Sequence, residues 1–168
     1  MAELTREDVI IYLQEGHSME GLDYSNLDLR GLAFPDVKFD GSSFAGAKLT
    51  GSDLGGTSFR QCSLEEADLA EALLVHADFR GSNLRRANFT EANCKEAVFT
   101  DADMDKADLT RANLQKATLM NANLQNARLF GANLNNALCL NADFRGAQTH
   151  GAKFDGAVVG GAKGLTTS

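Results

Sequence analysis

From Leu22 to Ala162 the chain keeps one five-residue register without an insertion or deletion. Ala67-Asp68-Leu69-Ala70-Glu71, Ala87-Asn88-Phe89-Thr90-Glu91, Ala107-Asp108-Leu109-Thr110-Arg111 and Ala132-Asn133-Leu134-Asn135-Asn136 share its frame: a small residue, Asp or Asn, Leu or Phe, then two polar residues. A helix repeats at about 3.6 residues and a strand at about 2, so neither keeps every fifth residue on one face. If each pentad forms one short side of a square, four of them close a coil of twenty residues, and coils stack at about 4.8 Å. Every side then sends one large apolar side chain inward: Tyr24, Leu29, Phe34, Phe39, Phe44 and onward to Phe144 and Phe154. Two residues earlier stand Leu22, Leu27, Leu32 and Val37 in the first coil, then small residues, and only Ala from Ala87 onward. A narrow square leaves little room at that corner, and overpacking a dense core destabilises it.

These repeats are similar to those of the pentapeptide-repeat family, whose unit is Ala-(Asp/Asn)-Leu-x-x. The resemblance implies an all-β solenoid, a right-handed quadrilateral β-helix; about seven coils between Leu22 and Gly161 would make a rod roughly 34 Å long. Residues 1–20 break the period and are expected to form an N-terminal capping α-helix, with the β-helix over 21–165 and a tail over 166–168. Thr5 suits an N-cap with Asp8 three residues later, Val9, Ile10 and Leu13 supply an apolar face, and Gly16 stands where a helix stops. The segment is acidic, which favours covering the first coil over lying on a membrane.

No segment reaches the run of about eighteen apolar residues that a membrane span requires, and the N-terminus carries Glu3, Glu7 and Asp8 where a leader would be basic. A cytoplasmic protein with no membrane partner is expected. Cys62, Cys94 and Cys139 fall on inward positions too far apart along the rod for disulfides, so they read as small buried residues in a reducing compartment. His17, His76 and His150 are dispersed and form no metal-spaced cluster with cysteine, so no metal, cofactor or nucleophile–base pair can be assigned. The recurrent Asp and Asn suit the turns, with Asp68-Asn88-Asp108 and Asn93-Asn113-Asn133 expected to form ladders. No catalytic residue, and hence no enzyme, is expected.

Some members of the resembled family, of the quinolone-resistance type, mimic B-form DNA and bind DNA gyrase, which supplies one functional expectation. The net charge of −7 fits it poorly, because Glu3, Glu7, Asp8, Glu15 and Glu20 against Arg6 place most of it ahead of the repeats. Along the rod, acids and bases interleave, as at Arg85, Arg86, Asp103, Asp105 and Lys106, whereas duplex DNA carries one negative charge per about 1.7 Å. Direct nucleic-acid binding is not expected either. The other expectation comes from one outward strip, Val98, Thr118, Met120, Leu138, Leu140 and Val158, where the remaining sides show charge or amide. A contiguous exposed apolar strip marks an interaction surface. It points to a non-catalytic scaffold or protein–protein interaction module with a protein partner, or to a homodimer through the strip or the C-terminal end; the alternative is the DNA-mimicking topoisomerase inhibitor.

Overall fold

The computed structural model describes residues 4–165, so the tail at 166–168 and the first three residues lie outside it. The backbone forms a right-handed quadrilateral β-helix. Parallel bridges join residues twenty apart throughout, from Asp23 with Ser43 to Asp143 with Lys163.

One pentad shows why this sequence takes this path. In Ala87–Glu91 the Ala87 N–H closes a turn onto the Leu84 carbonyl (3.1 Å), and Asn88 N–H reaches back one coil to Ala67 (2.9 Å). Phe89 and Glu91 N–H donate forward one coil, to the carbonyls of Asp108 (2.7 Å) and Thr110 (2.9 Å). Only Thr90 N–H has no backbone acceptor, and the Asn88 side chain accepts it at 3.0 Å. Backbone donors held away from water need partners, so Asp or Asn two residues earlier is the local answer. Fourteen Asp and Asn residues occupy this position between Asp23 and Asp143, and every one accepts that N–H. Pro35 obeys the same logic: it follows Ala33, which has no acceptor, and brings no N–H to satisfy.

The last residue of each pentad turns the corner in the left-handed region, with φ of 57° at Glu71 and 58° at Lys116. For non-glycine residues this costs about 1–2 kcal/mol, offset by the bonds that close the corner. At Gly56 space matters as well, because a Cβ there would displace the Asp36 carboxylate one coil before.

Every central side chain from Tyr24 to Phe144 is buried. Phe39, Phe59, Phe79 and Phe99 stack as a ladder, with centroids 5.5, 5.0 and 5.1 Å apart and planes within 14°. The small corner residues add bonds of their own: Ser52 and Thr57 hydroxyls donate to the carbonyls of Leu29 (3.1 Å) and Phe34 (2.7 Å). All three cysteines are free and buried. The Asn113–Asn93 and Asn133–Asn113 amides lie 3.2 and 3.5 Å apart, and Asn88 reaches Asp68 at 2.9 Å.

Helix α1 spans Arg6–Glu15, shorter than the whole leading segment, with a Thr5–Asp8 capping box and Gly16 left-handed at its end. It buries Val9 and sets Tyr12 and Leu13 against the core at the end where Leu22, Leu27, Leu32 and Val37 are also part-buried. These large corner residues fit because no earlier coil lies beneath them. Arg6 donates to two carbonyls at that end, Asp28 at 2.7 Å and Arg30 at 3.2 Å. Beyond α1 the chain is not helical: Met19 turns into the core, and its carbonyl accepts the Tyr24 hydroxyl at 2.9 Å. At the opposite end burial fades; Phe154 and Val159 are only part-buried, while Phe144 is fully so.

Candidate interaction surface

The side built on Phe39, Phe59, Phe79, Phe99, Leu119, Cys139 and Val159 changes character half-way along. In its first half the outward residues are polar, and Asp40, Ser58, Arg60, Asp78 and Arg80 are bonded to one another. Asp78 accepts from Arg60 Nε at 2.6 Å and from the Arg80 backbone and Nε, each at 3.1 Å. Asp40 accepts the Ser58 hydroxyl and the Arg60 N–H.

From Val98 onward the second half replaces this with apolar groups. Val98, Thr118, Leu138 and Val158 form one bridged column continuing directly from Asp78. Met120 and Leu140 form the column beside it, with Leu140 lying over Gly160. Leu138 and Val158 are 39% and 45% exposed, and the other four strip residues are half-buried. The structure thus brings all six sequence-predicted residues together. Leu73, 49% exposed, stands with Val75 on the adjoining side.

One property of the strip lies in the backbone and was not read from side-chain character. None of Val98, Thr118, Leu138 and Val158 supplies the side-chain acceptor that Asp or Asn supplies in fourteen other pentads; some pentads elsewhere lack it too, but here four successive levels of one side do. Among the described residues, the N–H groups of Thr100, Met120, Leu140 and Gly160 accordingly have no protein acceptor. The strip is a row of apolar side chains beside a row of open backbone donors, one per coil. The missing Asp or Asn at four successive levels was the sequence signal for it.

A second outward feature lies on the side built on Leu29 to Thr149. Phe130 points outward from a column otherwise made of Arg30, Thr50, Ala70, Thr90, Thr110 and His150. The Arg128 guanidinium lies 5.8 Å from its ring centroid and pairs with Asp108 at 3.2 Å. One coil below, the Thr110 hydroxyl is buried without a partner.

Elsewhere several surface charges pair across coils. Arg86 pairs with Glu65 (2.7 Å) and Glu66 (2.8 Å), Arg85 with Asp103 (3.3 Å) and Asp105 (2.9 Å), and Arg111 with Glu91 (3.2 Å). Bonds from Arg145 hold the Asp143 carboxyl below the usual carboxylate range. Burial pushes the Cys62 thiol up to about 11 and Cys139 up to about 12, which suppresses the nucleophilic thiolate. Among the described residues no group of three His, Cys, Asp or Glu side chains could hold a metal ion, and no helix is long and apolar enough to cross a membrane.

Two family models match the chain, one described as a pentapeptide repeat region over residues 32–109 and one as eight copies of pentapeptide repeats over 122–161. A search of curated proteins finds no match. Among solved structures, a trypsin-treated variant of QnrB1, a plasmid-mediated fluoroquinolone resistance protein, is 24% identical with a TM-score of 0.75, covering 85% of this chain and 74% of its own. A pentapeptide repeat protein from the Arabidopsis thaliana thylakoid lumen is 40% identical with a TM-score of 0.50, covering 51% of this chain and 59% of its own. A second trypsin-treated QnrB1 variant is 17% identical with a TM-score of 0.55, over 83% and 82% of the two chains.

Proposed function

Because the chain belongs to the pentapeptide-repeat family, whose relatives share its solenoid, we propose that it is a non-catalytic interaction module that docks a protein partner along Val98, Thr118, Met120, Leu138, Leu140 and Val158. The carrying observation is the coincidence of apolar side chains, exposed at Leu138 and Val158 and half-buried at the earlier levels, with unpaired N–H groups at the same four levels. Apolar burial supplies affinity, and open donors beside it supply direction, because a partner offering acceptors there takes the place of the missing Asp or Asn. Free, buried cysteines fit a reducing compartment, so a cytoplasmic location belongs to this proposal. The DNA-mimic reading has less support, since the acids are largely matched by basic neighbours instead of forming a stripe.

The test is affinity capture with three proteins: the intact rod, Leu138→Asp/Leu140→Asp, and Gln115→Asp on another side as a control. Partners retained by the rod and the control and lost from the double variant, with unchanged melting curves, are the expected result. Identical captured sets from all three would remove the strip as the docking surface.

A further inference from the structure

Self-association points, from the sequence, to the strip or the C-terminal end; the charges point to another side. On the Leu29 side, the outward column before the central residue runs Asp28, Lys48, Asp68, Asn88, Asp108, Arg128, Gln148. The column after it runs Arg30, Thr50, Ala70, Thr90, Thr110, Phe130, His150, and the corner column Gly31, Gly51, Glu71, Glu91, Arg111, Gly131, Gly151. Because coils stack in strict register, each column is a straight row with a repeat of about 4.8 Å.

Consider two copies placed face to face and antiparallel, related by a two-fold axis that runs along the strand direction. Each column then meets its own reverse. With the axis midway between the levels of Thr90 and Thr110, Glu91 meets Arg111 of the second copy, and Asp68 meets Arg128 of the second copy. Phe130 meets Ala70, so the outward phenyl ring on this side faces the smallest side chain of its column. Lys48 meets Gln148, Glu71 meets Gly131, Asn88 meets Asp108, and within these three columns no like charges oppose; at the other corner Arg86 meets Lys106, with Arg86 already held by Glu65 and Glu66 of its own chain. Moving one copy by a single coil destroys this. With the axis at Asn88, Asp68 meets Asp108, Lys48 meets Arg128 and Glu91 meets Glu91; with the axis at Asp108, that carboxylate meets itself.

We infer that the Leu29 side is an interface for a second copy of this chain, an antiparallel homodimer whose register is set by Glu91–Arg111 and Asp68–Arg128 and anchored by Phe130 over Ala70. Within one copy Glu91 and Arg111 are already paired at 3.2 Å and exposed. Across the axis two such pairs lie head to tail as a four-charge cluster, which fixes register more than it adds affinity. The half-buried Phe130 and Ala70 supply the apolar contact. The buried, unpartnered Thr110 hydroxyl lies next to the axis, opposite Thr90 of the second copy.

Sedimentation or light scattering from low to high micromolar concentration should give twice the 18.0 kDa chain mass for the wild type. Glu91→Arg alone and Arg111→Glu alone should each run as monomers, the first opposing four cations and the second four anions at the axis. An equimolar mixture of the two should recover dimer, because the two cations that one variant carries at positions 91 and 111 then meet the two carboxylates of the other. A change confined to the intramolecular pair cannot produce rescue by mixing, so the mixture separates an interface from a folding effect. Thr90→Cys mixed with Thr110→Cys should form a cross-chain disulfide under mild oxidation, the native thiols being buried. A wild-type monomer throughout, a dimer that survives Glu91→Arg, or no rescue on mixing would overturn the inference. Dissociation by Leu138→Asp/Leu140→Asp with Glu91→Arg unaffected would move the seam to the apolar strip and overturn it too, while leaving the strip's docking role intact.

Discussion

The two halves of the Phe39 side share a backbone path and differ in almost everything attached to it. The first half stacks phenylalanines inside and holds Asp40, Arg60, Asp78 and Arg80 in mutual bonds outside. The second half carries Leu119 and Cys139 inside and the apolar strip outside. What differs least is the ladder: Phe79 donates to Val98 at 2.7 Å and Leu119 to Leu138 at 2.7 Å, as though the side chains were irrelevant. In each pentad from Ser42 to Asn141, four of five N–H groups are satisfied by the backbone alone. The outward Asp or Asn serves only the fifth, which water or another molecule can equally satisfy. That single relaxed requirement is where a surface can diverge without endangering the fold.

Substitutions can break this comparison, and the largest effect is expected inside. Phe79→Ala removes a ring from the middle of the ladder and should cost about 3–5 kcal/mol, read from denaturant unfolding; a loss below about 1 kcal/mol would mean that the stack is not the core of that half. A smaller contrast lies on the outer face. Asp78→Ala removes the acceptor of Arg80 N–H and the shared partner of two guanidiniums, and should cost about 1–3 kcal/mol. Leu138→Asn, at the equivalent position in the second half, provides an acceptor for Leu140 N–H that the native residue lacks. It should leave stability unchanged or raise it by about 0.5–1 kcal/mol while weakening partner capture. A clear destabilisation would show that Leu138 packs as a structural residue.

The smallest effect concerns acid. Asp143 has a lowered folded pKa, chiefly through its side-chain bonds to Arg145. Its contribution is therefore complete above the unfolded aspartate value of about 3.9 and disappears as pH falls through the lower folded value. Melting curves of the wild type and Asp143→Asn should differ near neutrality and converge in acid; a gap that widens as pH falls would reverse the sign and the assignment.

Much of this was legible beforehand. The period, inward residues, phenylalanine ladder, buried cysteines and strip all follow from one frame, because neighbours twenty apart in sequence are neighbours in space. The helix was legible at its caps, Thr5, Asp8 and Gly16, but not in its extent, since Met19 is drawn inward by burial and by the Tyr24 hydroxyl instead of by any local signal. The left-handed corners at residues such as Glu71 and Lys116 were invisible, because Glu and Lys have no preference for that region and are held there by the coils on either side. Phe130 passed unnoticed as a lone aromatic in an outward column; its meaning depends on what faces it.

The sequence alone determined the closed coil, because a strict period of five with one apolar residue per unit admits no ordinary helix or strand and four units satisfy the backbone in a lap of twenty. Tertiary structure decided which outward residues became neighbours and which backbone donors were left open. Those properties arise only when separate coils are stacked, and no single pentad contains them.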